Sequence, residues 1–137
     1  MNRQFLLDTN ILSDLVRNPQ GRVARHIHAL EPDAIATSII VASEMRFGVA
    51  RKGSPSLTAQ VDAILSAMTI LPLEAPFDTI YGSLRADMEK KGALIGGNAL
   101  LIAAHAIMTG RILVTDNQRE FRRVPGLKLA NWLDRSP

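Results

Sequence analysis

Gln4-Phe5-Leu6-Leu7-Asp8-Thr9-Asn10 sets a run of three apolar side chains against a carboxylate. Consecutive apolar residues bounded by polar ones read as a strand buried on both faces. The run stops abruptly at Asp8, and two small hydrogen-bonding side chains follow it. At the carboxyl end of a parallel strand, such a carboxylate lies where open α/β sheets place their ligands. Asp8 also has a plainer reading, as the cap of a helix starting near Ile11, because Asp, Thr and Asn all cap helices well. The rest of the chain has to choose between the two.

Working outward, strand and helix patterns alternate to the C-terminus. Apolar spacing predicts a helix over 11–17, broken by Asn18-Pro19-Gln20-Gly21, and a second over 22–30, stopped by Glu31-Pro32-Asp33. A strand over 34–37 leads to Ser38, a candidate cap for a helix over 39–51. A helix over 57–67 and a strand over 69–73 follow. The next helix, over 75–91, carries Ile80, Leu84 and Met88 on one stripe and closes at Gly92. The most apolar helix spans 99–108 and ends at Gly110. A strand over 111–115, a helical turn around 119–121 and a last strand over 128–130 complete the chain. Strands alternating with helices imply a parallel sheet with helices on both faces. Right-handed crossovers bring the carboxyl ends of those strands to one edge.

At 137 residues the chain makes one domain, spanning 1–137. With 47% hydrophobic and 21% charged residues it has the composition of an ordinary soluble globular protein. Cysteine is absent, which removes disulfides, thiolate metal sites and a Cys nucleophile. No apolar run approaches a membrane span, and Met-Asn-Arg-Gln leading straight into a strand lacks signal-peptide architecture. The expected compartment is the cytosol. A net charge of +3 mildly favours an anionic partner such as nucleic acid. With four Phe, one Tyr and one Trp, no stacking platform for unpaired bases is evident.

The choice about Asp8 turns on a second strand of the same design. Ile112-Leu113-Val114 ends in Thr115-Asp116-Asn117, as Phe5-Leu6-Leu7 ends in Asp8-Thr9-Asn10. Both deliver a carboxylate to the same sheet edge. Carboxylates drawn together repel, and protonation or a cation must offset the repulsion. Oxygen ligands without Cys or paired His favour Mg²⁺ or Mn²⁺ over zinc. Glu44, early in the helix after the second strand, is near enough to lean over that edge; alone, it would read as an exposed Glu paired with a nearby Arg. A receiver-like phosphoacceptor domain shares the alternation, but it wants a paired acid after the first strand and a Lys at the end of a late one. Neither is present.

Leu6-Leu7-Asp8-Thr9-Asn10, Ser43-Glu44-Met45 and Val114-Thr115-Asp116-Asn117-Gln118-Arg119-Glu120-Phe121 resemble the signatures of PIN-domain ribonucleases, and more narrowly the VapC toxins of bacterial VapBC toxin–antitoxin modules. Arg85-Ala86-Asp87 with the following Lys-Lys-Gly-Ala-Leu-Ile-Gly, and the closing Val124-Pro125-Gly126-Leu127, extend the likeness over essentially the whole chain. The resemblance implies a PIN-like three-layer α/β/α fold with a mostly parallel central sheet. It also implies an endoribonuclease in which carboxylates hold Mg²⁺ or Mn²⁺, lowering the pKa of a water and stabilising charge on the scissile phosphate. Asp8, Glu44 and Asp116 would be the acids, with Thr9, Thr115 and Asn117 orienting carboxylates or water. Arg85 would touch RNA phosphate or help place a carboxylate, and a patch of Arg119, Arg122 and Arg123 would contact phosphate, with exposed surface arginines as the plainer alternative. His105, two turns into an apolar helix, reads as a packed structural residue rather than a general base.

One position departs from the family. Where VapC proteins carry Asp ahead of Ile-Ala-x-His-Ala, this chain has Ala99. A methyl group neither coordinates a metal nor accepts a proton, although Ala is a good helix former. The expectation is a fold retained and an activity severely impaired. Deliberate inactivation is favoured over natural loss, since a ribonuclease harmful to its host is easier to produce without this acid. The resemblance further implies a VapB-type antitoxin that blocks the acidic pocket. It implies a homodimer that becomes a heterotetramer or larger with the antitoxin, and an RNA substrate, tRNA foremost. The apolar surplus of the helices over 39–51 and 57–67 agrees with such interfaces. A non-catalytic PIN-like domain that binds RNA or a protein is the alternative.

Overall fold

The computed structural model describes residues 3–133. β1 (Phe5–Leu7) is buried throughout and forms the centre of the sheet, with Leu6 and Leu7 wholly excluded from solvent. Around it lie β2 (Ile35–Ser38), β3 (Thr69–Leu71), β4 (Ile112–Val114) and β5 (Leu129–Ala130). The five strands run in the order β3-β2-β1-β4-β5, and every pairing is parallel. Leu7 stands level with Thr37 on one side and Val114 on the other. Residues 8, 38 and 115 therefore leave the sheet along one edge.

α1 (Thr9–Arg17) and α2 (Arg22–His28) connect β1 to β2, and α3 (Ile39–Lys52) and α4 (Pro55–Ser66) connect β2 to β3. The chain then crosses the sheet through α5 (Phe77–Lys90) and α6 (Gly97–Thr109) to β4, and reaches β5 through the short α7 (Gln118–Phe121). The first two crossovers step one way along the sheet and the last two step the other. Right-handed connections put the two sets of helices on opposite faces. Accordingly α1 packs on α2, α3 and α4, while α5 packs on α6. The result is an α/β/α domain of three layers, as expected. The direction changes between β1 and β4, and the crevice at such a switch is where open sheets bind ligands.

Several boundaries differ from the sequence expectation for local reasons. Asp8 is extended and caps α1, so the helix starts at Thr9 and takes Thr9 and Asn10 into its first turn. A 3-10 turn over Pro32–Ala34 delays β2 to Ile35. β3 stops at Leu71 because Pro72 has no N–H for the ladder. The helix expected over 75–91 begins after Pro76, at Phe77, and α6 begins two residues earlier than expected, at Gly97. Gly92 (φ 64°) and Gly110 (φ 66°) take the left-handed conformation that ends α5 and α6 at little cost to glycine. Among the described residues no helix is long and apolar enough to cross a membrane.

Candidate active site

At the switch between β1 and β4, a cleft of about 450 Å³ opens over the carboxyl edge of the sheet. Asp8, Thr9, Glu44, Ala99, Asn117 and Glu120 are among the residues that line it. Asp8, directly after β1, is only 6% exposed. Its Oδ1 accepts from the Thr9 amide (2.8 Å) and its Oδ2 from the Thr115 hydroxyl (2.7 Å). Asp8 thus caps α1 and faces the cleft at once, so the two readings of this residue are compatible.

Glu44 lies in the second turn of α3 and is half-buried. Its Oε1 accepts from the Thr9 hydroxyl and its Oε2 from Asn98 Nδ2 at 3.1 Å. The carboxylate is therefore held between the N-terminal turns of α1 and α6. Ala99, the next residue on α6, presents a methyl group to the same cleft. On the far wall, Glu120 of α7 accepts from the Gly96 amide (3.1 Å) and from Asn117 Nδ2 (2.8 Å). Thr115, fully buried, also accepts from the Asn117 amide at 3.0 Å.

Burial raises the pKa of Asp8 above the ordinary carboxylate value. The hydrogen bonds from Thr115 and Thr9 oppose that rise, and the nearby charges of Glu44 and Glu120 add to it. A carboxylate pushed this way sits where positive charge would relieve it. The donors are all hard oxygen, the chemistry that Mg²⁺ or Mn²⁺ prefers. In number they fall short. Among the described residues no three acidic, imidazole or thiol side chains come close enough to hold a metal ion. One wall of the cleft is the Ala99 methyl.

Other candidates lie elsewhere. Asp116 is exposed at the rim and does not line the cleft; its Oδ1 accepts from Asn131 (3.0 Å) and its amide donates to Asn10 Oδ1 (3.0 Å). Successive residues leaving an extended strand point to opposite sides. Thr115 takes the inward place, which leaves Asp116 outside. Arg85 is exposed on α5 and donates to the Tyr81 hydroxyl one turn earlier, away from the cleft. His105 is fully buried, with Nδ1 2.8 Å from Ser38 Oγ and Phe77 edge-on to its ring. Its pKa is lowered, chiefly by burial. The Pro72 backbone favours the charged form, but no acceptor of ordinary geometry meets Nε2. His105 packs between elements and does not reach the cleft.

The PIN domain profile matches residues 5–127, nearly the whole chain. The chain belongs to the PIN-domain family. Within that family it is similar to Ribonuclease VapC2 of Rickettsia felis, with 38% identity over 93% of this chain and 97% of the relative. It is 31% identical to the tRNA(fMet)-specific endonuclease VapC of Shigella flexneri, over 94% and 98% of the two chains. Its fold superimposes on a chain in the crystal structure of VapBC2 from Rickettsia felis bound to a DNA fragment from their promoter, with TM-score 0.87 and 37% identity, covering 93% and 98%.

In this PIN domain, Glu120, Asn98 and Arg17 line or brace the cleft without having been singled out in the sequence. Glu120 lies three residues after Asn117, a spacing that puts both on one side of a helical turn. That spacing was the available signal. Asn98 carries none, because α6 reaches the cleft only through tertiary packing; Arg17 follows Thr9 and Ser13 at four-residue steps on α1, so the helical period was its signal.

Proposed function

We propose that this PIN domain is the toxin of a type II toxin–antitoxin module, a VapC-type endoribonuclease that hydrolyses phosphodiester bonds in structured RNA, with tRNA as the leading substrate class. Ala99 leaves this form severely impaired. The observation that carries the reading is the convergence of Asp8 and Glu44 on one cleft with position 99 in its wall. Asp8 and Glu44 would hold Mg²⁺ or Mn²⁺, with an acid at position 99 completing the set and Asp116 at the rim. When bound, such an ion supplies positive charge that acidifies a water and offsets the charge growing on the scissile phosphate.

The chain's own residues do the positioning. Thr9 and Asn98 together hold Glu44, and Thr9 and Thr115 hold Asp8. Both carboxylates are thereby fixed before any ligand arrives, and little reorganisation is left to the reaction. Glu120 ties the entry to α6 onto α7 and so keeps position 99 in the wall. Asn117, bonded to Thr115 and Glu120, orients the same corner.

A VapB-type antitoxin is the proposed protein partner, in the cytosol, as the likeness to a VapBC2 chain suggests. A homodimer or a larger assembly with that partner belongs to the same proposal, and Phe47, 63% exposed on α3, is a candidate contact. Cleavage of a tRNA transcript in Mg²⁺ by this chain and by its Ala99→Asp variant tests the reading. Loss of a residue that merely orients a metal ligand costs about 10–100-fold, so restoring a ligand is expected to raise the rate by at least roughly a hundredfold. Equal rates would overturn the proposal.

A further inference from the structure

A second hollow, about 310 Å³, lies between α1, α3 and α4 and shares a border with the acidic cleft. Thr9, Ser13, Arg17 and Glu44 line both. Away from that border its walls are apolar, built from Met45, Val49, Leu57 and Val61. Its size falls at the small end of ligand pockets. Part of one wall is the backbone of Gly48, in the interior of α3. Glycine there costs helix stability relative to alanine. The chain itself gives no reason for it. Its φ is not left-handed, and a methyl group on it would meet no atom within 4 Å beyond its chain neighbours and its own helix backbone. The missing side chain leaves room for something that the chain does not supply.

We propose that this hollow takes one unstacked nucleobase of the RNA, from a nucleotide beside the phosphate held in the cleft. The inference rests on the nuclease reading above and adds the feature by which the site tells one RNA from another. Structured RNA is told apart chiefly at loops and bulges, whose bases turn out of the stack and expose their edges. A turned-out base needs a snug apolar slot with a few polar groups around it. Four apolar side chains and the bare backbone of Gly48 provide the faces, and the polarisable Met45 sulfur suits contact with an aromatic ring. The Ser13 hydroxyl donates to that sulfur at 3.8 Å, a weak acceptor that a base edge would replace. Arg17 and Lys52, both exposed, have no hydrogen-bond or ion-pair partner among the described residues and suit the flanking phosphates. No aromatic side chain lines the hollow, so the base is gripped by shape rather than by stacking. A protein side chain is the other class of occupant. The border shared with Glu44 and the two cations favour the polyanion that is being cut.

The test begins by mapping where Ala99→Asp cuts a tRNA transcript in Mg²⁺. A short labelled RNA spanning that point is then made with each base in turn replaced by an abasic nucleotide. Fluorescence anisotropy with the chain as it stands, Ala99 in place, reads binding without consuming the RNA. One abasic position is expected to weaken binding at least about tenfold, the order lost with one buried base. Gly48→Leu, which fills the hollow, should bind the complete RNA that much more weakly and no longer distinguish the abasic copy. The slope of log affinity against log salt should stay unchanged, since no phosphate contact is removed. Gly48→Ala and Gly48→Leu should both melt at or above the parent, because the fold does not require glycine there. Indifference of the parent to every abasic position, or full discrimination kept by Gly48→Leu, would overturn the base slot, and cleavage by Ala99→Asp would leave the nuclease reading standing. Failure of Ala99→Asp to cut would remove the nuclease reading and the slot that rests on it. If Gly48→Leu keeps the parent's pattern toward RNA but loses a co-expressed VapB-type antitoxin, the hollow holds a protein side chain and the proposal fails.

Discussion

Asp8 is a strained choice of residue unless something positive visits it. It is buried, shares its cleft with Glu44 and Glu120, and its pKa is raised for those reasons in that order. A raised folded-state value means that folding favours the protonated form. The contribution of Asp8 to stability is then full below the unfolded value near 3.8 and is lost as pH rises through the higher folded value. Asp8→Asn cannot titrate. The melting temperature of Asp8→Asn minus that of the parent should therefore climb with pH across this interval and then level, in buffers free of divalent ions. A difference flat with pH would show that Asp8 ionises as it does in the unfolded chain. Residue chemistry picked out this carboxylate but left it equally readable as a helix cap, and the matching end of the later strand was needed to place it at a site. It could not rank Asp116 against Glu120, because that depends on which of Thr115 and Asp116 faces inward, a choice made by the turn after β4. Arg85 shows the same limit, as its environment is Tyr81 on its own helix.

At the scale of elements, the parallel alternation was legible because each strand is a short apolar run between turn residues, and the helices carry a separate period. Ends were less so. Caps and prolines shifted several by one or two residues, as at Thr9 and Phe77. Ser38 shows what one such end can carry. Its hydroxyl accepts from the Ile40 amide at the start of α3 and also pairs with buried His105 of α6. The single side chain joins the helix that bears Glu44 to the helix that bears position 99. Ser54 caps α4 through the Leu57 amide with no buried partner of that kind. Removing a cap alone costs about 1 kcal/mol, whereas leaving a buried polar group unpaired adds about 1–3 kcal/mol. Ser38→Ala should thus lower unfolding free energy by roughly 2–4 kcal/mol, against about 1 for Ser54→Ala. Urea denaturation of the two variants measures the difference, and equal losses would mean that His105 gains nothing from Ser38.

Over the whole molecule, the sheet gathers acids from distant parts of the chain to one edge, in a chain whose net charge is +3. Asp8 stands at the junction of β1 and α1, Glu44 on α3 and position 99 on α6, and each of these elements packs into the common core. Any cation bound among them therefore ties together segments that separate on unfolding. An ion that binds only the folded chain stabilises it by RT ln(1 + [L]/Kd), about 2.7 kcal/mol at a concentration one hundred times Kd. With no three acids of the cleft close enough to share an ion among the described residues, the parent should gain little from Mg²⁺ or Mn²⁺ at millimolar levels. Ala99→Asp adds a further carboxylate to a cleft where Asp8, Glu44 and Glu120 already repel, so without divalent ions it should melt below the parent. Added Mn²⁺ or Mg²⁺ should reverse that order, with the crossover concentration reporting the affinity of the completed site. Differential scanning calorimetry with and without the ion reads both halves of the claim. If Ala99→Asp melts at the same temperature in chelator and in saturating Mn²⁺, position 99 does not face a cation site, and the three elements meet there for a reason other than metal.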